Sequence, residues 1–285
     1  MQIQIFPFLY AQDYNTSELS PDIAADDGTW NDDGTEFTVK IKEGLKFANG
    51  HDLTASDVKF SYDRIKTIND ANGPSSLLAN VESVEAPDDT TVVFKDSVPF
   101  DVTLKQVMSS PAGPIVDEEV FDADKLTDAD TIVKGNAFAG PYKLTAFKMN
   151  ETASYEKNDS YKGLTPAKND AIQVKYFADA SNLKLNVQQG QIDVAFRSLT
   201  PTDIEDLSKD SKVKVVKGPG GEERFLTFNF KIQPYGESQS DADANKAKAV
   251  RQAVANLIDR DELSKKVYKG TTPRCTPSSR RTVRP

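Results

Sequence analysis

Between Phe37 and Ile41, apolar Phe37, Val39 and Ile41 alternate with polar Thr38 and Lys40, the period of a strand with one buried face. Asp33-Gly34 marks a turn just before it. After Asn49-Gly50 the run Thr54-Ala-Ser-Asp57 opens a helix: the Thr54 hydroxyl can cap it, and Asp57 in the first turn suits its dipole. Val58, Tyr62 and Ile65 then share one helical face. Val81 to Ala86 and Thr91 to Phe94 flank Pro87-Asp88-Asp89 and read as a hairpin. The first half is therefore expected to be α+β with antiparallel pairing.

The rhythm changes further on. Ile172 to Phe177 reads as a strand, Asn182 to Gln189 as a helix ending at Gly190, and Ile192 to Phe196 as a strand. Pro201 to Leu207 reads as a helix and Val213 to Val216 as a strand. Such a β-α-β-α-β series predicts right-handed crossovers and a largely parallel sheet in a layered α/β domain. Phe225 to Phe230 adds a strand, and Asn245 to Ile258 a helix whose Ala249, Ala253 and Leu257 recur at spacing four. There is no internal repeat and no long low-complexity tract.

At 285 residues and 38% hydrophobic, the chain can form one large or two ordinary globular domains. Its 35 basic and 44 acidic residues give a formal charge of −9, which argues against a grip on nucleic acid phosphates or anionic lipid. No apolar stretch approaches the roughly 20 residues needed to span a bilayer. The opening MQIQIFPFLY lacks the basic flank and small-residue cleavage site of an export signal. Because Met1 falls inside a strand-like segment, such a signal is expected upstream of this chain. One Cys rules out an internal disulfide. From Thr271 to Pro285 there are four Arg, Cys275 and no acid, and no apolar period survives, so a disordered or aberrant tail is expected at 271–285.

Catalytic chemistry is thinly represented. The single His51 and the single Cys275 lie far apart, and His51, following Asn49-Gly50, reads as a surface turn residue. The pairs Asp26-Asp27, Asp32-Asp33, Asp88-Asp89 and Glu118-Glu119 could serve a carboxylate hydrolase, but each lies beside turn formers or in a polar run. Asp241-Ala-Asp-Ala-Asn245 opens like a calcium loop, yet Lys246 stands where Gly is required and Gln252 where a bidentate Glu is required. Gly218-Pro-Gly-Gly221 lacks the spacing and Lys of a phosphate cradle and reads as a turn. Neither a metal nor a cofactor is expected.

Two segments carry a specific resemblance. FTVKIKEGLKFANGHDLTASDVKFSYDRI (Phe37 to Ile65) and AVRQAVANLIDRDELSKKVYKG (Ala249 to Gly270) resemble the signatures of the family 5 extracellular solute-binding proteins, the oligopeptide, dipeptide and nickel binders of ABC transporters. FAGPYKL (Phe138 to Leu144) and LKLNVQQGQIDVAF (Leu183 to Phe196) lie between them in the family's order. The family's Gly-Thr-Gly-Pro-Tyr is here Ala137-Phe-Ala-Gly-Pro-Tyr142.

The resemblance implies a mixed α/β (α+β) bilobal fold of the periplasmic-binding-protein type II-like class, incomplete here. It divides the chain into a lobe I remnant (1–20), an accessory α+β subdomain (21–130), a lobe I α/β sheet (131–244), the start of lobe II (245–270) and the tail. It places a first-lobe strand before LYAQDYN, and most of the second lobe, outside this chain. It further implies a monomer outside the cytoplasm, periplasmic or lipid-anchored, that closes two lobes over a peptide and presents it to an ABC permease. The implied ligand-binding residues are Ser109 and Ser110, then Asn136, Phe138 and Ala139 in the Asn136 to Gly140 loop, and Phe228 and Asn229. Arg251, Asp259 and Arg260 read as helix-stabilising charges. A metal chelate or an oligosaccharide as ligand, and a surface receptor without transport, are the alternatives within the fold.

Overall fold

A computed structural model describes residues 2–13, 15–218 and 224–272. Residues 219–221 of the Gly-Pro-Gly-Gly turn and residues 273–285 of the expected tail lie outside the described residues. The chain divides into two compact units, 1–176 and 177–285.

The first unit begins with a short helix α1 (Gln2–Ile5), followed by β1 (Tyr10–Gln12), β2 (Leu19–Pro21), β3 (Thr29–Trp30), β4 (Glu36–Lys40), β5 (Leu45–Lys46) and β6 (Asp52–Leu53). Helix α2 (Ala55–Ile68) leads to the hairpin β7 (Val81–Asp88) and β8 (Thr91–Asp96), then α3 (Leu104–Met108) and α4 (Ala129–Gly135). Strands β9 (Tyr142–Lys148), β10 (Thr152–Lys157) and β11 (Ala171–Lys175) complete it. The sheets are antiparallel, in the orders β3-β4-β8-β7, β11-β10-β9, β1-β2 and β5-β6.

The alternation at Phe37 to Ile41 becomes β4 with Phe37 and Val39 inward, in register with Phe94 and Val92 of β8. Helix α2 lies on that face. Thr54 and Asp57 form a reciprocal capping box, and Asn69 ends the helix in the left-handed region at φ 43°. Val58 and Tyr62 are buried, and the Tyr62 ring meets Phe94 edge-on at 5.0 Å. A second core gathers Phe6, Phe121, Phe138, Tyr142, Leu144, Ala153 and Tyr155 against the β9–β11 sheet.

Both cores meet at one segment. Residues Ile5 to Tyr10 are all buried. Their carbonyls accept from Gly140 N at Ile5 (3.0 Å), Ile115 N at Pro7 (3.0 Å), Ile23 N at Phe8 (3.1 Å), and Asp22 N and Ala24 N at Leu9 (2.9 and 3.2 Å). The Phe8 N–H donates to Asp22 Oδ2 at 3.2 Å. Buried Asp22 also accepts at Oδ1 from the Tyr161 hydroxyl (2.6 Å) and Leu164 N (2.7 Å), tying residues 139 positions apart. Gly163 is required there, since a Cβ would collide with the Asp22 carboxylate and the Tyr161 hydroxyl.

The second unit holds α5 (Ala180–Gln188), α6 (Pro201–Leu207), α7 (Ala244–Leu257) and the short α8 (Arg260–Glu262). Lys184 of α5 reaches Asp203 (3.3 Å) and Asp206 (2.8 Å) of α6. Asp243 caps α7, and the Arg251 guanidinium lies 4.8 Å over the Phe230 ring.

The expected parallel sheet is absent among the described residues. No strand forms at 192–196, 213–216 or 225–230, although β11, α5, α6 and α7 form close to their expected positions. Val194 and Phe196 are 79% and 80% exposed, and no neighbouring strand gives these segments a hydrogen-bonding ladder. Alternation reports an apolar face, not the presence of a partner. The same applies to α7: its Ala249, Ala253 and Leu257 stripe faces solvent, with Leu257 84% exposed, while Ala247 and Arg251 turn inward. No helix among the described residues is long and apolar enough to cross a membrane.

Replacing Asp22 with Ala strips three donors of their acceptor and should lower the stability of the first unit by about 3 kcal/mol, against about 1.5 kcal/mol for Tyr161→Phe. Urea unfolding followed by the fluorescence of the only tryptophan, Trp30, measures both. Unchanged midpoints would contradict the role given to Asp22.

Candidate functional site

The expected ligand loop follows directly from the end of α4. Asn136 adopts the left-handed conformation at φ 46° and turns the chain off that helix. Its side-chain Nδ2 donates to Ala48 O at 2.9 Å, and Ala48 N donates to Phe138 O at 2.8 Å. From the other side, buried Asn158 donates through Nδ2 to Phe138 O (3.3 Å) and Gly140 O (2.9 Å). Gly140 N completes the anchorage on Ile5 O. A Cβ at Gly140 would stand 2.6 Å from the Ile5 carbonyl carbon, which explains glycine before Pro141.

The loop therefore has an inner and an outer aspect. Phe138 is fully buried beside the Phe6 ring, with centroids 6.1 Å apart, and Ala139 belongs to the core under the β3-β4-β8-β7 sheet. Their side chains hold the loop from within. Asn136 stays partly exposed.

Ser109 and Ser110 sit where the chain leaves α3. Ser109 Oγ donates to Gln106 O (3.0 Å), and Ser110 Oγ donates to Val107 O (2.6 Å) while accepting from Ala112 N (3.1 Å). Both remain partly exposed. The same stretch reaches the buried segment through Ile115 N on Pro7 O. The loops 109–115 and 136–140 are thus brought onto one backbone, two residues apart. A cavity of about 370 Å³ lies behind the first loop, walled by Phe6, Ile65, Pro111, Pro114 and Phe121.

Phe228 and Asn229 lie in the second unit. Phe228 is partly exposed, and Asn229 Oδ1 accepts from Lys231 N at 3.1 Å, starting the turn that Arg251 covers.

The sequence reading missed a polar cluster beside the ligand loop. His51 follows a turn and is partly exposed, and it has a partner there: its Nδ1 lies 2.8 Å from Asp117 Oδ2, and Asn49 Nδ2 donates to the same oxygen at 2.8 Å. The hydrogen bond to Asp117 raises the His51 pKa above its ordinary value. Nearby Asp57 is pushed up to about 6 by burial, against the opposing pull of the Thr54 and Glu118 N–H groups it accepts. The first acid of Asp117-Glu118-Glu119, directly after the apolar Ile115-Val116, was the available signal.

Three comparisons locate this architecture among known proteins. A family model described as bacterial extracellular solute-binding proteins, family 5 Middle, matches residues 18–278. The probable D,D-dipeptide-binding periplasmic protein DdpA of Escherichia coli K12 is 27% identical over 229 residues, covering 79% of this chain and 43% of its own. The dipeptide-binding protein DppE of Bacillus subtilis 168 is 29% identical over 257 residues, covering 83% of this chain and 43% of its own. Among solved structures, NikZ from Campylobacter jejuni, in complex with Ni(L-His), superposes with a TM-score of 0.75 at 20% identity. It covers 94% of this chain and 50% of that one. The chain spans less than half the length of these curated relatives.

Asn158→Ala should unpair the Gly140 carbonyl, leave Phe138 O with Ala48 N alone, and lower stability by about 2 kcal/mol. Thermolysin digestion should then cut near Phe138, where the parent resists. Resistance equal to that of the parent would contradict the anchoring role of Asn158.

Proposed function

We propose, from the premise that this chain belongs to family 5 of the bacterial extracellular solute-binding proteins, that it captures peptides outside the cytoplasm for an ABC importer. Its fold is that of periplasmic-binding-protein type II-like members, of which it spans about half. Homologues of this kind bind their ligands and do not convert them.

The observation that carries the peptide reading is the match over 229 and 257 residues to two relatives named for dipeptide binding. The geometry of the first unit supports it. Two loops anchored on one buried backbone make a stiff wall, and a stiff wall lowers the ordering cost of binding. A peptide offers alternating main-chain donors and acceptors, so such a wall can read backbone while wet pockets tolerate varied side chains.

In this reading Ser109, Ser110 and Asn136 meet ligand, and Phe138 and Ala139 support them from the core. Closure of two lobes over the peptide is the event a membrane permease reads. The working form is a monomer, periplasmic or lipid-anchored at the outer face of the cytoplasmic membrane.

Isothermal titration decides between ligand classes when run on the protein carried to the length of its relatives, with a pool of di- to pentapeptides in one arm and a nickel–histidine chelate in the other. Saturable heat with peptides is expected, weakened about tenfold by Asn136→Ala, an effect of roughly 1.4 kcal/mol. Heat with the chelate alone would overturn the peptide reading in favour of a metal-chelate binder.

A further inference from the structure

We propose that His51 and Asp117 form a proton-sensitive latch that sets how firmly the Asn136 to Gly140 loop is held. The Asp117 side chain is 1% exposed and that of His51 is 37%, so the carboxylate is sealed in the protein while the imidazole keeps a path to bulk protons. Asp117 Oδ2 receives both His51 Nδ1 and Asn49 Nδ2, and its Oδ1 accepts from Glu119 N at 2.9 Å.

The latch closes a small turn. Asn49 Oδ1 accepts from His51 N (3.0 Å), Phe47 N donates to His51 O (2.9 Å), and Gly50 N donates to Phe47 O (3.0 Å). Ala48, inside that turn, is the residue that exchanges hydrogen bonds with the ligand loop: its N–H goes to Phe138 O and its carbonyl receives Asn136 Nδ2. Any loosening of the turn is therefore transmitted to the loop by two hydrogen bonds, one between backbones and one through the Asn136 side chain.

The charges around the imidazole all have one sign. Asp117 and Glu119 face it from the 115–121 segment, with Glu119 Oε1 at 3.9 Å, and Asp57 faces it from α2. Glu118 in turn faces Asp57. An imidazolium is the one positive charge among these groups, so its loss leaves a sealed carboxylate beside other acids. Because the folded-state pKa of His51 lies above its unfolded value, the latch contributes fully below the unfolded value. That contribution is lost as pH rises through the folded one. Asp57, also raised, shifts stability in the same direction and is common to parent and His51 variants.

The effect on ligand capture rests on reading 136–140 as the ligand loop; the latch itself stands on geometry alone. With one histidine in the chain, imidazole NMR titration reports this site without assignment. The His51 midpoint should lie above the ordinary histidine value and fall back towards it in Asp117→Asn. The hydrogen-exchange protection factor of the Ala48 amide should fall about tenfold between about pH 6 and pH 8.5 in the parent and, in His51→Gln, by no more than the small remainder of the Asp57 titration. A His51 midpoint at or below the ordinary value, or an Ala48 protection factor indifferent to pH in the parent, would overturn the latch. Failure of peptide binding with both readouts intact would overturn only the ligand assignment.

Discussion

Backbone polar groups buried without partners cost too much to persist, and in the first unit this constraint falls most heavily on Ile5 to Tyr10. Of these six consecutive buried residues, Ile5, Pro7, Phe8 and Leu9 carry carbonyls bonded to partners outside their own element. Their partners arrive from distant parts of the chain: Gly140, Ile115, Ile23, Asp22 and Ala24. These partners fall in three parts of the chain, so meeting the demand of one short segment positions the 136–140 loop, the α3 exit and the β2 region together. The two apolar cores then pack on either side of a backbone whose geometry is already determined.

Acidic side chains do much of the remaining fastening. In a chain of charge −9, three of the four buried acids among the described residues fasten separate parts: Asp22 binds the 161–164 loop, Asp57 caps α2 and holds Glu118 N, and Asp117 holds the Asn49 to His51 turn. Each accepts from several donors, which offsets the desolvation of the carboxylate. These carboxylates fasten loops by accepting several hydrogen bonds each.

What could be read from the sequence was what is local. The Thr54 to Asp57 cap, the α2 face through Val58 and Tyr62, and the hairpin around Pro87-Asp88-Asp89 each encode their structure within a dozen residues. The helices at Asn182, Pro201 and Asn245 were visible for the same reason. What could not be read depended on partners far away in the chain. Strand-like alternation at Ile192 to Phe196 meets no ladder, and the regular stripe of α7 faces solvent because the Arg251–Phe230 contact turns the opposite side inward. The candidate loop was legible as a loop, but not the fact that Phe138 points into the core, which follows from Phe6 lying 132 positions earlier. His51 was legible as a surface turn residue, but its partner Asp117, 66 positions away, was not.

The Ile5 to Tyr10 backbone joins the 109–115 and 136–140 loops and the β2 region into one cooperative body. Native-state hydrogen exchange over a denaturant series tests it directly, since the amides of Ile23, Ile115 and Gly140 donate to that backbone. The account predicts that all three merge into a single opening with one free energy and one denaturant dependence. Gly140 or Ile115 exchanging through small openings of its own, while Ile23 stays protected, would contradict it.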